Sequence, residues 1–292
     1  MNKIDGTTKV LGLIGDPVSG SLSPKFQNWT IERLGLDYCY VPFPVRSGGV
    51  TEALGGAREL GIKGLNVTAP HKEKAANQMD ELSPAAEMTG AVNTVIFEDD
   101  GRLIGDNTDW RGFIESLRQR GFSPSNKSCL VFGAGGGAAG VLFGLIREGA
   151  DKVVVVNRTL RKAEELVAKM GGISPGVDLE SCRLSGPGLE EKISAAELIV
   201  NATSVGMGDT RGRSVLEDEA CLQSGQVVFD LIYNPHPTEL LEQAARSGAI
   251  PMGGLDMLIL QGLKSLEIWT GAEIDTRKIL PEIRDFLKQI RG

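Results

Sequence analysis

The sequence has few of the residues that build metal centres, disulfide frameworks or membrane spans. Among 292 residues there are four cysteines and two histidines, and aromatic residues make up 5% of the chain. The cysteines are scattered without a Cys-x-x-Cys pair, and His71 and His236 lie far apart, so we expect free thiols in a reducing compartment and no metal site. No apolar run approaches the ~18 residues of a membrane helix. The polar first residues contain no signal-peptide core, which predicts a cytoplasmic protein.

The net charge bears on the class of partner, and the length bears on the number of domains. The formal net charge is −7, from 31 basic and 38 acidic residues, which argues against nucleic acid as a general partner. The length allows two domains or one large one, and 38 glycines predict many turns. We therefore expect a globular protein that does not bind nucleic acid.

A glycine-rich turn organises the second half of the chain. The apolar run Cys129 to Phe132 leads into the turn, and a helical pattern of small residues follows from Ala138 to Ile146. The spacing matches Gly-x-Gly-x-x-Gly/Ala, the dinucleotide fingerprint, in which glycines let the backbone approach a phosphate at a helix N-terminus. The alternative is a plain strand–turn–helix junction that binds nothing. The residues predicted to line the cofactor here are Gly133, Ala134, Gly135, Gly136, Gly137 and Ala138.

The end of the next predicted strand indicates which dinucleotide binds. NAD-binding units usually carry an acidic residue there, which holds the ribose 2′-hydroxyl. This chain instead has Asn157, Arg158 and Thr159, followed by Lys162. A guanidinium and an ammonium attract a 2′-phosphate, whereas a carboxylate would repel it, so the predicted cofactor is NADP(H). In the alternative interpretation Thr159 caps the following helix and the two basic side chains are simply solvated.

Strand-like and helix-like segments alternate along the chain, which predicts an α/β fold with a largely parallel sheet. Ser23 before Pro24 predicts the N-cap of a helix. Residues 173–189 are predicted to be irregular. The predicted strands are Val10 to Ile14, Tyr38 to Val45, Ile62 to Thr68, Lys152 to Val156, Leu198 to Ala202, Val227 to Ile232 and Ala249 to Pro251, with a hairpin from Val92 to Phe97 and Arg102 to Gly105. The predicted helices include Pro24 to Leu34, Thr51 to Leu60, Lys72 to Met79, Leu160 to Met170, Leu255 to Trp269 and Ile279 to Ile290.

Polar side chains follow the predicted strands, at the edge where open α/β sheets bind their ligands. Hydroxyls, amides, one lysine and one aspartate suit a small polyhydroxylated substrate. Each residue also has a purely structural interpretation: Ser23 and Asp109 could cap helices, Lys72 could be solvated, and the amides could stabilise turns or lie on a helix surface. Within this set, no serine or cysteine has an adjacent base, so nucleophilic catalysis is poorly supported. The polar residues in question include Ser21, Ser23, Asn66, Thr68, Lys72, Asn93, Thr94, Asn107, Asp109, Asn201, Thr203, Ser204, Tyr233 and Gln261.

Over nearly its whole length the chain resembles the shikimate dehydrogenase family. The resemblance rests on many short stretches in the family's order, which is far more specific than the glycine turn alone. They are Ser21-Leu-Ser23-Pro, Asn66-Val-Thr-Ala-Pro-His-Lys72, Gly90-Ala-Val-Asn93-Thr, Gly105-Asp-Asn-Thr-Asp109, Gly133-Ala-Gly-Gly, Asn157-Arg-Thr159, Asn201-Ala-Thr-Ser-Val-Gly-Met207, Asp230-Leu-Ile-Tyr233-Asn-Pro and Gln261-Gly262.

The resemblance implies roles for individual residues. Lys72 and Asp109 would be the catalytic acid–base pair, and Ser21 and Ser23 would hold the substrate carboxylate, with Tyr233 nearby. The residues implied for the ring hydroxyls are Asn66, Thr68, Asn93, Asp109 and Gln261. The residues implied around the adenosine 2′-phosphate are Asn157, Arg158, Thr159 and Lys162, and those implied near the nicotinamide are Met207 and Gly254.

The resemblance also implies two α/β domains with a substrate cleft between them. Residues 1–108 with 255–292 would form the substrate-binding catalytic domain, and residues 109–254 the Rossmann-type NADP domain. The implied reaction is the reversible reduction of 3-dehydroshikimate to shikimate by NADPH, on the route to chorismate and the aromatic amino acids, in a monomer or homodimer. Three alternatives remain: a dehydrogenase preferring quinate or NAD, a non-catalytic NADP-binding regulatory protein, and a bare α/β binding module.

Overall fold

The computed structural model describes residues 4–172 and 176–290 and divides the chain into two compact units. Residues 1–112 together with 259–292 form the first unit, and residues 113–258 form the second. The divisions fall at 112 and 258, compared with 108 and 254 in the sequence-based expectation. Both ends of the expected first domain lie outside the described residues, at 1–3 and 291–292. Part of the expected irregular stretch, 173–175, also lies outside them.

The first unit contains a six-stranded mixed sheet in the order β2-β1-β3-β5-β6-β4. Strands β1, β2 and β3 are parallel, whereas β5 runs antiparallel to both β3 and β6. The predicted hairpin is therefore confirmed: a tight turn at Gly101 (φ +88°) joins β5 directly to β6. Strand β4 pairs parallel with β6 at the edge of the sheet. The strands are β1 (Lys9–Gly15), β2 (Tyr38–Pro44), β3 (Gly64–Val67), β4 (Glu81–Leu82), β5 (Thr94–Phe97) and β6 (Leu103–Asp106).

Helices pack on this sheet, and their starts or ends differ from the expectation in two places. The N-cap of α1 is Leu22 and not Ser23, because the Ser21 hydroxyl already accepts the Ser23 backbone N–H (3.2 Å) and residue 22 is helical. Helix α3 ends at Ala76, short of the predicted Met79, because residues 80–82 pair with β6. The helices of this unit are α1 (Ser23–Arg33), α2 (Val50–Glu59), α3 (Lys72–Ala76), α4 (Pro84–Thr89) and α11 (Thr276–Gln289), and the chain enters and leaves it through α5 (Asp109–Gln119) and α10 (Leu255–Thr270).

The second unit is built on a six-stranded, entirely parallel sheet in the order β12-β11-β10-β7-β8-β9. The central strands are almost fully buried, which explains their unbroken apolar sequences. Strand β9 lies in the stretch predicted to be irregular; it is a polar edge strand with little apolar alternation. The strands are β7 (Ser128–Phe132), β8 (Lys152–Asn157), β9 (Asp178–Arg183), β10 (Leu198–Asn201), β11 (Val227–Asp230) and β12 (Ile250–Gly253).

The crossover helices of the second unit bury one face against this sheet. Leu130, Val154 and Val228 from the strands form one apolar cluster with Ile193 and Leu240 from the helices. The helices are α6 (Gly136–Arg147), α7 (Leu160–Met170), α8 (Leu189–Ala195) and α9 (Glu239–Arg246). In the described part of the chain, no helix is both long and apolar enough to span a bilayer.

Candidate active site and dinucleotide-binding loop

Lys72 and Asp109 form a close ion pair in the first unit. Lys72 is the first residue of α3 and Asp109 the first residue of α5. The Lys72 Nζ atom donates to Asp109 Oδ2 at 2.6 Å, and their side chains are only 26% and 10% exposed. The second carboxylate oxygen, Oδ1, accepts from Asn93 Nδ2 at 2.8 Å. Both carboxylate oxygens of Asp109 thus accept hydrogen bonds from other side chains, which weighs against a role as a simple helix cap. The same ion pair weighs against Lys72 as a solvated lysine.

Asn93 links this pair to Gln261. Its Nδ2 atom also donates to Gln261 Oε1 (3.2 Å) and to Thr108 Oγ1 (3.0 Å). Its Oδ1 atom accepts the Thr108 backbone N–H at 2.8 Å. A backbone donor on one side and a carboxylate on the other fix which way the amide points. The structure therefore brings Lys72, Asp109, Asn93 and Gln261 together in one hydrogen-bonded group, close to the carboxyl end of β6.

Asn66 is buried behind this group. Its Oδ1 atom accepts from the Tyr40 hydroxyl at 2.7 Å, and its Nδ2 atom donates to the Asn93 carbonyl oxygen at 3.0 Å and to Ser265 Oγ at 2.9 Å. Both amide hydrogens therefore have protein acceptors. The expected role of Asn66, direct binding of a ring hydroxyl, has less support from the geometry than a role in holding Asn93.

Ser21, Ser23 and Thr68 follow β1 and β3 in the same unit. Ser23 is buried, whereas Ser21 and Thr68 are half-buried. The Ser21 hydroxyl accepts the Ser23 backbone N–H. None of the three side chains is hydrogen-bonded to Lys72, Asp109, Asn93 or Gln261 within the described residues. The Thr68 backbone N–H donates to the Ile14 carbonyl oxygen of β1 (2.9 Å), which ties the end of β3 to the strand that precedes Ser21 and Ser23.

In the second unit, the glycine loop leaves β7 with the geometry that a dinucleotide requires. Gly133 has φ +112°, and a Cβ there would lie 3.0 Å from the Ala202 carbonyl oxygen, so only glycine suits this position. At Gly135 a Cβ would meet no atom within 4 Å, which leaves open space over the start of α6. No side chain caps this helix and no acidic residue lies in its first turn. The loop and helix therefore suit a pyrophosphate.

The residues after β8 suit a 2′-phosphate. Asn157 Nδ2 donates to the Thr159 carbonyl oxygen (2.9 Å), which shapes the turn. Thr159 occupies the N-cap position of α7 but makes no side-chain cap hydrogen bond. Arg158 and Lys162 are exposed and have no carboxylate partner among residues 4–172 and 176–290, whereas the neighbouring Arg161 is paired with Glu165 (2.8 Å). Two unpaired cations thus flank the turn.

A buried carboxylate, Asp230, organises the loops after β10 and β11. Its Oδ1 atom accepts from Asn201 Nδ2 (3.0 Å) and from the Ile232 backbone N–H (3.0 Å), and its Oδ2 atom accepts from Thr238 Oγ1 (2.7 Å). Burial raises the pKa of Asp230, and the hydrogen bonds from Thr238, Ile232 and Asn201 oppose that rise. These bonds fix the two loops in place. Asp230 begins the stretch Asp230-Leu-Ile-Tyr233-Asn-Pro, one of those on which the family resemblance rests. Its hydrogen bonds give a structural reason for an aspartate at that position.

Three further expected site residues belong to these loops or follow them. Met207 is 46% exposed in the loop after β10, and Tyr233 is half-buried in the loop after β11. Gly254 is buried, and a Cβ there would lie 2.0 Å from the Leu231 carbonyl oxygen, so packing alone accounts for glycine.

Sequence reasoning named Thr94 as a polar residue near the hairpin but gave it no role, and it missed the other hydroxyls that surround Asn93 and Asn66. Thr94, Thr108 and Ser265 are all fully buried, and Tyr40 is only 2% exposed. One signal was available: Ser265 lies four residues after Gln261 on the same helix, so both polar side chains share one face.

The glycine loop, the cations after β8 and the amine–carboxylate pair define a class. They are typical of an α/β dehydrogenase that uses a nicotinamide dinucleotide on a Rossmann-type unit. Family models match the chain at residues 13–95 (shikimate dehydrogenase substrate binding domain), 116–236 (shikimate/quinate 5-dehydrogenase) and 254–284 (shikimate 5′-dehydrogenase C-terminal domain). The chain belongs to the shikimate dehydrogenase family.

Individual relatives agree with this assignment over almost their full length. The shikimate dehydrogenase (NADP⁺) of Geobacter metallireducens is 42% identical over 286 residues, covering 96% of this chain and 99% of the relative. The solved shikimate 5-dehydrogenase of Listeria monocytogenes, in complex with shikimate and NAD, is 33% identical with a TM-score of 0.91, over 98% and 99% of the two chains. The Thermus thermophilus shikimate 5-dehydrogenase, in complex with NADP(H) and shikimate, is 34% identical with a TM-score of 0.84, over 95% and 99%.

Proposed function

We propose that this chain catalyses the reversible, NADP-dependent reduction of 3-dehydroshikimate to shikimate. The observation that carries the proposal is the 2.6 Å contact between Lys72 Nζ and Asp109 Oδ2, in which Asp109 also accepts from Asn93, itself a donor to Gln261. An ammonium fixed by a carboxylate in a partly buried site is suited to deliver a proton to one defined oxygen. Family membership supports the substrate and the pathway, which is the synthesis of chorismate and the aromatic amino acids.

Lys72 and Asp109 act as the acid–base pair in this proposal. During reduction the Lys72 ammonium donates a proton to the C3 oxygen of the substrate as that oxygen gains negative charge, and the carbonyl becomes a hydroxyl. During oxidation the pair takes the proton back from the C3 hydroxyl. Asp109 orients the ammonium and stabilises its charge. When bound, the nicotinamide cofactor supplies or accepts the hydride at C3.

The remaining polar residues of the first unit are proposed to hold the substrate. Ser21 and Ser23 have hydroxyls available to donate to a carboxylate, and neither hydroxyl donates to a described residue. Thr68, Asn93 and Gln261 would contact the ring hydroxyls. Asn66 is retained as a weaker candidate, since its amide hydrogens already have acceptors in Asn93 and Ser265. From the second unit, Tyr233 would contact the carboxylate.

NADP(H) is the proposed cofactor, and the residues of the second unit suit it. The loop and helix start at Gly133, Ala134, Gly135, Gly136, Gly137 and Ala138 would hold the pyrophosphate, and Asn157, Arg158, Thr159 and Lys162 the 2′-phosphate. Met207 and Gly254 would contact the nicotinamide. The open space above Gly135 and the two unpaired cations support this assignment.

The proposal also covers location and assembly. The four cysteines are free thiols, which suits the reducing cytoplasm. The protein is proposed to act as a monomer or homodimer, which size-exclusion chromatography with light scattering would resolve.

The deciding experiment is an absorbance assay of NADPH with the purified protein. We expect NADPH formation from shikimate and NADP, and the reverse reaction with 3-dehydroshikimate. Parallel reactions with quinate and with NAD measure the two preferences directly. Faster turnover of quinate would reassign the substrate, and faster turnover with NAD would reassign the cofactor. NADP binding by calorimetry without any turnover would instead indicate a regulatory protein.

A further inference from the structure

A continuous row of buried hydrogen bonds leads from Tyr40 to the carboxylate of Asp109. Tyr40 OH lies 2.7 Å from Asn66 Oδ1, and Asn66 Nδ2 lies 2.9 Å from Ser265 Oγ. Ser265 Oγ lies 2.7 Å from Thr94 Oγ1, which lies 2.9 Å from Asn93 Oδ1. Asn93 Nδ2 completes the row at 2.8 Å from Asp109 Oδ1. We call Tyr40, Asn66, Ser265, Thr94 and Asn93 the buried relay; all five belong to the first unit.

The two amides in the buried relay have fixed orientations. Asn66 must present its NH₂ group to the Asn93 carbonyl oxygen, which can only accept, so its oxygen faces the Tyr40 hydroxyl. Asn93 must present its oxygen to the Thr108 backbone N–H and its NH₂ group to the Asp109 carboxylate. Each amide therefore accepts on the side of Tyr40 and donates on the side of Asp109.

Counting protons allows an arrangement in which the hydroxyls between the amides all donate toward Asp109, and the short contact from Ser265 Oγ to Thr94 Oγ1 (2.7 Å, against 3.1 Å to the Gln261 carbonyl oxygen) favours it. Thr108 Oγ1 lies 3.1 Å from the Gln261 carbonyl oxygen and can give its proton there. Ser265 Oγ accepts from Asn66, which leaves its own proton for Thr94 at 2.7 Å. Thr94 is then free to donate to Asn93 Oδ1 at 2.9 Å. In this arrangement every hydroxyl donates once, to its own acceptor.

We propose that the buried relay is a one-way row of donors aimed at Asp109, and that Thr94 and Ser265 are positioning residues for the acid–base pair. Each bond in such a row polarises the next, so the last donor, Asn93, binds the carboxylate more strongly than an isolated amide would. The relay also holds Asp109 in place for the Lys72 ammonium. This inference rests on the proposed function, because its effect is read through turnover of shikimate.

The test compares two substitutions at Thr94. Thr94→Val keeps the shape of the side chain and removes the hydroxyl, whereas Thr94→Ser keeps the hydroxyl and removes a methyl group. With the relay intact in Thr94→Ser, we expect that variant to retain most of the wild-type kcat. Thr94→Val should lose about tenfold in kcat, with a smaller change in KM for NADP, since a hydrogen bond that supports a charged group is at stake. A role in packing alone would make the serine variant the worse of the two.

Ser265→Ala and Tyr40→Phe measure how the effect decays with distance from Asp109. We expect the loss in kcat to decrease from Thr94→Val to Ser265→Ala to Tyr40→Phe. If Thr94 instead donated to Ser265, and Ser265 to the Gln261 carbonyl oxygen at 3.1 Å, Ser265→Ala would leave kcat unchanged and the proposal would be wrong. Thr30→Val is the matched control: Thr30 is equally buried, but among the described residues its hydroxyl donates only to Phe26 O of its own helix, so kcat should not change.

Thermal unfolding of every variant shows whether the comparison is made on folded protein. A wild-type protein that does not oxidise shikimate with NADP would refute the proposed function. An active wild type whose Thr94→Val variant keeps full kcat would refute only the relay.

Discussion

The two units differ in the groups that form their candidate sites. In the first unit, the polar groups around Asp109 are buried side chains that satisfy one another, and few of their donors remain for a ligand. In the second unit, the candidate dinucleotide site consists of backbone at Gly133 to Ala138 and of exposed cations with no carboxylate partner among the described residues. A prearranged set of side chains suits chemistry at one atom, because the groups need not reorganise during reaction. Unpartnered donors suit a charged ligand that supplies the missing acceptors.

Replacing Lys72 with alanine tests the first half of this comparison and should have the largest effect. General acid–base catalysis contributes roughly 10² to 10⁴ in rate, so kcat for shikimate oxidation should fall by that order. The KM for shikimate should change much less, because the other polar groups remain. Steady-state kinetics of Lys72→Ala give both parameters. Lys74→Ala is the control, an exposed lysine on the same helix; near-normal turnover in Lys72→Ala would refute the assigned role.

Replacing Arg158 with alanine tests the second half. The guanidinium is exposed and lacks an ion-pair partner in the described part of the chain, so its removal leaves the fold intact and deprives a 2′-phosphate of a charged donor. We expect the KM for NADP to rise about tenfold or more, while the KM for NAD changes little. Arg161→Ala, three residues along and already paired with Glu165, should leave both unchanged. Equal effects of the two substitutions would remove the case for a 2′-phosphate site at this turn.

Alanine substitutions at two glycines of the loop after β7 distinguish an effect on folding from an effect on NADP binding. Gly133→Ala places a Cβ 3.0 Å from the Ala202 carbonyl oxygen at φ +112°, so it should lower the free energy of unfolding by about 1–3 kcal/mol. Gly135→Ala meets no atom within 4 Å and should cost little stability, but its methyl group occupies the space proposed for the pyrophosphate. Urea unfolding and NADP titration of both variants check the contrast. Equal losses of stability would contradict it.

The sequence predicted the parts of the fold that follow from local pattern. The strand, glycine turn and helix around Gly133 could be placed because unbroken apolar strands, glycines and small helical residues are strong local signals. The edge strand Asp178–Arg183 could not, because its polar residues show no apolar alternation and its pairing with β8 is a long-range contact. Helix α3 was predicted too long for the same reason, since pairing of residues 80–82 with β6 ends it early.

The sequence predicted the ion-pair residues of the candidate site, but not the contacts among the buried side chains behind them. Lys72 and Asp109 could be named from the residues and from the family resemblance, but their 2.6 Å contact depends on how α3 and α5 are packed. The hydroxyl of Ser265 was missed and that of Thr94 was named without a role, because serine in a helix and threonine at a strand start have ordinary structural explanations. Only the three-dimensional arrangement shows that they meet.

The smallest expected effect concerns pH and the two buried carboxylates. Asp109 faces a lysine, whereas the described partners of Asp230 are neutral donors, and burial raises its pKa above the ordinary value of 3.8. The folded Asp230 therefore keeps its proton at pH values where the unfolded carboxyl has lost it. Because the folded state then binds more protons, this residue's contribution to the free energy of unfolding falls as pH rises from 3.8 through the raised pKa.

Asp230→Asn removes that titration, so the free energy of unfolding of the wild type minus that of the variant should decrease as pH rises through the window. Urea unfolding of both proteins at several pH values above 3.8 measures the difference. A difference that increased with pH would mean that the hydrogen bonds from Thr238, Ile232 and Asn201 outweigh burial. Asp230 would then be a carboxylate stabilised by neutral donors, and the expected decrease of its contribution with pH would be wrong.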